Sequence, residues 1–238
     1  MNDSPYKILV ALDRDNTINL DPDTYFGRDE DWKDNVKFCH GAIDGLITLT
    51  QHPNIVTIVV TAQLGVAKGV MTAQRVEEVN AYLDDQLRKV GVKIDSWQYS
   101  PYCVIDTATR WEEKGVTTIN YDYVVPKNDE RSAHIKPANG LLVKAASELQ
   151  LELDDLPLYV VGDRASDLMT GVNNGGVGIL VDNPHITRSS SKFDEIEEIK
   201  ELVKDHFFED RAHIVSCLSE AADIVIKDYN SKKHRSYE

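Results

Sequence analysis

The chain has 238 residues, 42% hydrophobic and 28% charged, with 13 Gly and 8 Pro, which supports one substantial core and excludes general disorder. The formal net charge of −14 repels phosphate backbones and anionic bilayers, so it excludes broad nucleic-acid or membrane-surface binding but not a small anion in a local positive pocket. Cys39, Cys103 and Cys217 are widely spaced with no CxxC pair, which points to a reducing cytoplasm, and no stretch reaches the ~20 apolar residues of a membrane helix.

The first apolar run, Lys7 to Leu12, reads as a strand buried on both faces, and it is too short for a signal region because it stops at Asp13. Asn19 to Lys37 is acidic and polar and reads as a loop. A helix is predicted over His40 to His52, stopped by Pro53. A second buried strand runs from Asn54 to Val60. Thr72 can cap a helix that Gly91 ends, and Lys93 to Tyr99 is a third strand. The 100–134 stretch has no sustained period and reads as one long loop insertion. Beyond it lie a helix over Pro137 to Gln150, a strand over Leu158 to Val161, a helix over Ser166 to Asn173 and a strand over Val177 to Val181. The tail reads as a charged helix over Phe193 to Phe208, a helix near Arg211 to Leu218 and a final strand over Ala221 to Ile226. Alternating strands and helices predict an α/β fold. It is a three-layer, Rossmann-like parallel sheet with helices on both faces, formed by a single domain over 1–238 with no large cap domain.

In such sheets ligands bind beyond the carboxyl ends of the strands. The first strand drives directly into Asp13-Arg14-Asp15, and extended residues i and i+2 point to one side. Two crowded carboxylates call for a cation, and oxygen ligands favour Mg²⁺. The plainer reading is a turn that merely ends the strand. Two later strand ends shift the balance. Thr61, followed by Ala62-Gln63-Leu64-Gly65, offers a hydroxyl and backbone N–H groups to a phosphate. The strand at Leu158 to Val161 ends in Gly162-Asp163, which supplies a third carboxylate, with Asp167 at the start of the next helix. Lys136, just ahead of Pro137, can neutralise a phosphate there.

The order Asp-x-Asp-x-Thr, strand-Thr, Lys-Pro and Gly-Asp-x-x-x-Asp resembles the haloacid dehalogenase (HAD) superfamily of phosphohydrolases. The match runs from Ile8 to about Val181. "LDRDNTIN", "TAQLGVAKG", "KPANGLL" and "VGDRASD" are similar to the branch holding histidinol-phosphate and heptose bisphosphate phosphatases. The resemblance implies Asp13 as nucleophile and Asp15 as general acid and base. It implies Thr61, the Ala62 position and Lys136 as phosphate holders, and Mg²⁺ on Asp13, Asp163 and the Asp15 backbone carbonyl. Asp167 would orient Lys136, with Thr17 supporting the turn behind.

The chain departs from that branch at its zinc loop. Ser100, Tyr102 and Ser132 stand at three of the four ligand positions, only His134 remains, and Ile135 replaces an Arg. Structural zinc needs four good N or S ligands, so none is expected. The expected activity is a Mg²⁺-dependent phosphomonoesterase on a small phosphorylated metabolite, with a sugar phosphate or bisphosphate as the candidate, working as a cytoplasmic monomer. The alternatives are a nucleic-acid 3′-phosphatase and a catalytically weak phosphate-binding module. The 100–134 insertion carries Tyr102, Trp111, Tyr121 and Tyr123, close after Trp97 and Tyr99. With the acidic 20–34 loop it is expected to wall the site, with Arg110 and Arg131 as substrate contacts.

Overall fold

The computed structural model describes residues 7–21, 25–184, 186, 190–204 and 207–235. The apolar run at the start is β1 (Ile8–Leu12), buried throughout. Ile8, Val10 and Leu12 enter one core cluster and Leu9 and Ala11 another, so both faces of the strand are covered. β1 pairs in parallel with β2 (Ile55–Ala62) on one side and β6 (Leu158–Gly162) on the other. β3 (Ser96–Ser100), β7 (Val177–Val181) and β8 (Ala212–Val215) extend the sheet. The order is β3-β2-β1-β6-β7-β8, all parallel.

On one face, α1 (Ala42–Thr50), α8 (Leu218–Arg235) and the end of α3 (Ala73–Lys89) bury Leu46, Leu49, Leu87, Leu218 and Val225. Each such side chain contributes about 1.5–3 kcal/mol of apolar burial. On the other face lie α5 (Gly140–Glu148), α6 (Ala165–Asn173) and α7 (Ser190–Lys204). The three-layer arrangement matches the expectation. α3 shows why local reading succeeds: Thr72 Oγ1 accepts from Arg75 N at 3.1 Å, and Val76, Val79, Asn80, Leu83 and Leu87 form one buried stripe.

Three readings are corrected. In the tail, the stretch read as a helix near Arg211 to Leu218 holds the strand β8, and the stretch read as a final strand lies inside α8. Leu218, Ala221, Ala222, Val225 and Tyr229 are buried at helical spacing, and this stripe outweighs the β-branched content of Ala221 to Ile226. The insertion is also not one long loop. It holds β4 (Cys103–Val104) paired in parallel with β5 (Val124–Val125), joined through α4 (Ile105–Glu113). Two-residue strands have no readable period, and α4 buries only Ala108. Finally, α5 starts at Gly140, so Pro137 precedes the helix instead of opening it.

Candidate active site

The central order β2-β1-β6 brings three strand ends side by side. Leu12 is in register with Val59 and Val161, and Asp13 N continues the ladder to Val161 O at 2.8 Å. Asp13, Thr61 and Asp163 therefore emerge together, all buried.

Lys136 reaches this point from the segment before α5. Its Nζ donates to Asp13 Oδ1 at 2.7 Å, to Val60 O at 3.2 Å and to Asp167 Oδ1, with the lysine side chain 5% exposed. Asp167 Oδ2 also accepts from Arg164 N at 3.1 Å. This carboxylate therefore both caps α6 and fixes the lysine. Only Gly fits at position 162, because an added Cβ would lie 2.2 Å from Asp167 Cγ.

Burial pushes the Asp13 carboxyl up to about 7. Lys136 opposes the rise, and the charges of Asp167, Asp163 and Asp15 add to it. Burial would lower Lys136, but Asp13 and Asp167 outweigh it and hold the ammonium charged. Asp15 goes the other way. Burial would raise it, yet the Arg14 charge and hydrogen bonds from Arg14, Gln63 and Asn19 hold it below the usual carboxylate range.

Asp15 is caught by residues the sequence reading did not single out. Gln63 Nε2 donates to Asp15 Oδ2 at 2.8 Å and to Thr61 Oγ1 at 2.9 Å, and Asn19 Nδ2 donates to Asp15 Oδ1 at 3.1 Å. Arg14, wholly buried, bonds both Asp15 oxygens. Only its position between the two aspartates could have suggested this. Asn16 takes φ 63, a left-handed conformation that Asn tolerates better than most residues. Thr17 is buried behind the turn, and its hydroxyl has no hydrogen-bond partner among the described residues.

Ligand oxygens of Asp13, Asp163 and Asp167 lie within 4.8 Å of one another, the one such cluster of His, Cys, Asp or Glu among the described residues. Within it Asp167 bonds both Lys136 Nζ and Arg164 N, and Asp13 bonds Lys136 Nζ. An all-oxygen set with surplus negative charge suits a hard divalent ion.

These groups open into a cavity of about 340 Å³ lined by Asp13, Asp15, Thr61, Ala62, Lys136 and Arg164 at its base. Asp21 and Tyr25 reach it from the acidic loop, and Tyr102, Thr107 and Trp111 from the insertion, so both expected wall segments contribute. Arg110 and Arg131 do not line it, contrary to the sequence reading. Arg110 bonds Asp106 O and Thr107 Oγ1 on its own helix, and Arg131 pairs with Asp129 at 2.8 Å. Both arginines find local partners before they can reach the site. Arg164 is the cavity cation that the sequence reading missed.

The insertion is anchored without cysteine pairs. Asn120 N donates to Ala67 O at 2.8 Å and Thr118 Oγ1 to Lys68 O at 2.7 Å. Ala67, Cys103 and Ala108 form a small core with Leu64, Trp111, Ile119, Tyr123 and Val124. Ser132 Oγ donates within its own turn, to Lys127 O and Asp129 O.

No protein-family model matches the chain. It is 27% identical over 180 residues to D-glycero-D-manno-heptose-1,7-bisphosphate 7-phosphatase of Chlorobaculum tepidum, covering 74% of this chain and 79% of that protein. It is 28% identical over 173 residues to the D-glycero-beta-D-manno-heptose-1,7-bisphosphate 7-phosphatase of Escherichia coli, covering 72% and 78%. Among solved structures, a HAD-like phosphatase from Mesorhizobium loti superposes with a TM-score of 0.58 at 27% identity, over 83% of this chain and 88% of that one. A D,D-heptose bisphosphate phosphatase from B. bronchiseptica, complexed with magnesium and phosphate, shares the fold with a TM-score of 0.62 at 18% identity, over 93% and 99%. By these likenesses the chain is a phosphatase, similar in sequence and fold to the HAD-like phosphatases.

Proposed function

We propose that the chain is a Mg²⁺-dependent phosphomonoesterase that hydrolyses a small phosphorylated metabolite, a sugar phosphate, through an aspartyl-phosphate on Asp13. The observation that carries this reading is the buried Lys136–Asp13 pair at 2.7 Å, set beside Asp163 and Asp167 where three strands end. The sugar is suggested by the heptose bisphosphate phosphatases among the relatives.

A carboxylate attacks an anionic ester poorly unless charge is masked. Mg²⁺, held by Asp13, Asp163 and the Asp15 backbone carbonyl, would supply part of that masking. Lys136 supplies the rest, with Asp167 keeping it in place. An oxygen of Asp13 forms a bond to phosphorus as the bond to the leaving alkoxide breaks, and Asp15 gives that alkoxide its proton. Asp15 then takes a proton from water, whose oxygen displaces Asp13 and releases phosphate. Thr61, the Ala62 backbone and Lys136 hold the phosphoryl oxygens. Thr17 supports the turn that carries both aspartates.

The same reading has the protein working as a cytoplasmic monomer on a soluble ester, without structural zinc. The net charge of −14 favours it over the nucleic-acid alternative, and the three buried free cysteines suit a reducing compartment. The test is a screen of phosphorylated metabolites with Mg²⁺, read as phosphate release. Turnover that disappears with chelator and in Asp13→Asn is expected. Undiminished turnover in Asp13→Asn would overturn the mechanism.

A further inference from the structure

Lys68 Nζ stands 5.1 Å from the centre of the Tyr25 ring and 5.9 Å from that of Trp111. One cation is shared by two aromatic faces from distant segments, the acidic loop and α4. Both rings line the cavity. Tyr25 is held in a left-handed conformation, φ 67, which a non-glycine residue keeps only where the surroundings enforce it. Its ring closes over Gly65, where an added Cβ would come 2.9 Å from Tyr25 Cδ1. Tyr102 is a third fixed ring, with His134 stacked at 6.3 Å, Tyr123 at 5.8 Å and the Arg131 guanidinium 5.7 Å away.

The leaving group thus meets a wall of aromatic rings, shared with Leu64, Ile135, Asp21 and Thr107. The cations in the lining, among the described residues, are Lys136 and Arg164. Lys136 is tied to Asp13 and Asp167, and Arg164 lies 3.9 Å from Asp163, so both sit with the carboxylate cluster. A volume of about 340 Å³ is at the small end of the roughly 300–1,000 Å³ of small-molecule sites.

We infer that the leaving group is the closed ring of an uncharged sugar, gripped through its C–H faces by Tyr25, Tyr102 and Trp111 in a clamp that Lys68 holds together. An open-chain polyol has no such face, and a second phosphate would meet a lining whose cations among the described residues, Lys136 and Arg164, already sit with the carboxylate cluster. The inference rests on the phosphatase reading of the same site.

The test compares a hexopyranose phosphate with the open-chain hexitol phosphate of equal length, using full-length protein with Mg²⁺. Phenyl phosphate and a hexose bisphosphate serve as further probes. The wild type should prefer the pyranose over the hexitol by about tenfold or more in kcat/KM, the scale of a lost pocket contact. Trp111→Ala should erase most of that ratio, chiefly through KM. Trp111→Phe should keep it, and Lys68→Met, which keeps a long side chain but removes the charge shared by the two rings, should lower it in part. A second readout needs no turnover: the pyranose ester should quench Trp111 fluorescence in Asp13→Asn, with the signal missing when Trp111→Phe is added. Equal turnover of pyranose and hexitol would overturn the ring while leaving the phosphatase reading intact. Tighter binding of phenyl phosphate than of the pyranose ester to Asp13→Asn, read by Trp111 quenching, would replace the sugar with an aromatic leaving group, and preference for the bisphosphate would overturn the uncharged one. Ring-specific quenching without hydrolysis of any ester would keep the clamp and remove the phosphatase reading.

Discussion

Arg14 grips both oxygens of Asp15, with Nε 3.0 Å from Oδ1 and Nη2 2.9 Å from Oδ2, while its Nη1 reaches Asn80 Oδ1 at 2.8 Å. The guanidinium is wholly buried. Three satisfied donors make this a pair whose disruption strands a charge, and losing one partner of a buried pair costs about 3–5 kcal/mol. Arg14→Met should lower stability on that scale in urea unfolding. A change under about 1 kcal/mol would mean that water compensates Asp15.

The same grip holds Asp15 ionised at rest, so the proton it gives must be acquired as substrate binds. Aryl esters leave without proton assistance and alkyl esters do not. Asp15→Asn should cost alkyl phosphates about 10²–10⁴ in kcat and aryl phosphates far less. Equal losses on both ester types would remove Asp15 from the acid step.

Asp13 titrates high, at about 7 against an ordinary 3.8, because it is buried and then crowded by Asp167, Asp163 and Asp15. A carboxyl raised by folding binds its proton more tightly in the folded chain, so its contribution to metal-free stability falls as pH rises through that window. The Tm of the wild type minus that of Asp13→Asn should therefore drop between the two values and level off above. Mg²⁺ competes with the same proton, so its affinity should rise over the same window. Calorimetric titration at several pH values checks this, and a pH-independent affinity would place the metal away from Asp13.

Arg110 and Arg131 were expected at the substrate, but neither lines the cavity: Arg110 is held by Asp106 O and Thr107 on its own helix, and Arg131 by Asp129. Arg110→Ala should leave kcat/KM within about twofold for every ester tested. Arg131→Ala should act only through the Tyr102 ring that it faces, as a modest rise in KM for ring-bearing esters. A large loss in kcat for either variant would contradict this placement.

Zinc should be absent from the purified protein in stoichiometric amount. Ser132 spends its hydroxyl on backbone carbonyls, and the insertion already has its own small apolar core. Elemental analysis decides the point, and one tightly held zinc per chain would refute it.

By itself the sequence determined five of the six strands of the sheet, most helices and the groups that meet at its centre. Those signals are local: an apolar run that stops at Asp13, a Thr at position 61, a Gly162-Asp163 step, a lysine before Pro137. Buried parallel strands fix where their ends lie, so residues read one strand at a time converge. Only the tertiary structure decided the partners. Asp13 meets a lysine 123 positions away, Arg14 an asparagine 66 away and Asp15 a glutamine 48 away. The tail followed the same rule. Ala212–Val215 becomes a strand because β7 offers an open edge, and Ala221 to Ile226 becomes helix because α1 and the sheet bury one helical stripe. The Tyr25–Lys68–Trp111 clamp has no local signature at all, because it exists only where three segments fold against one another. Pairing energy depends on what lies across the gap, and a single chain read in order does not record that.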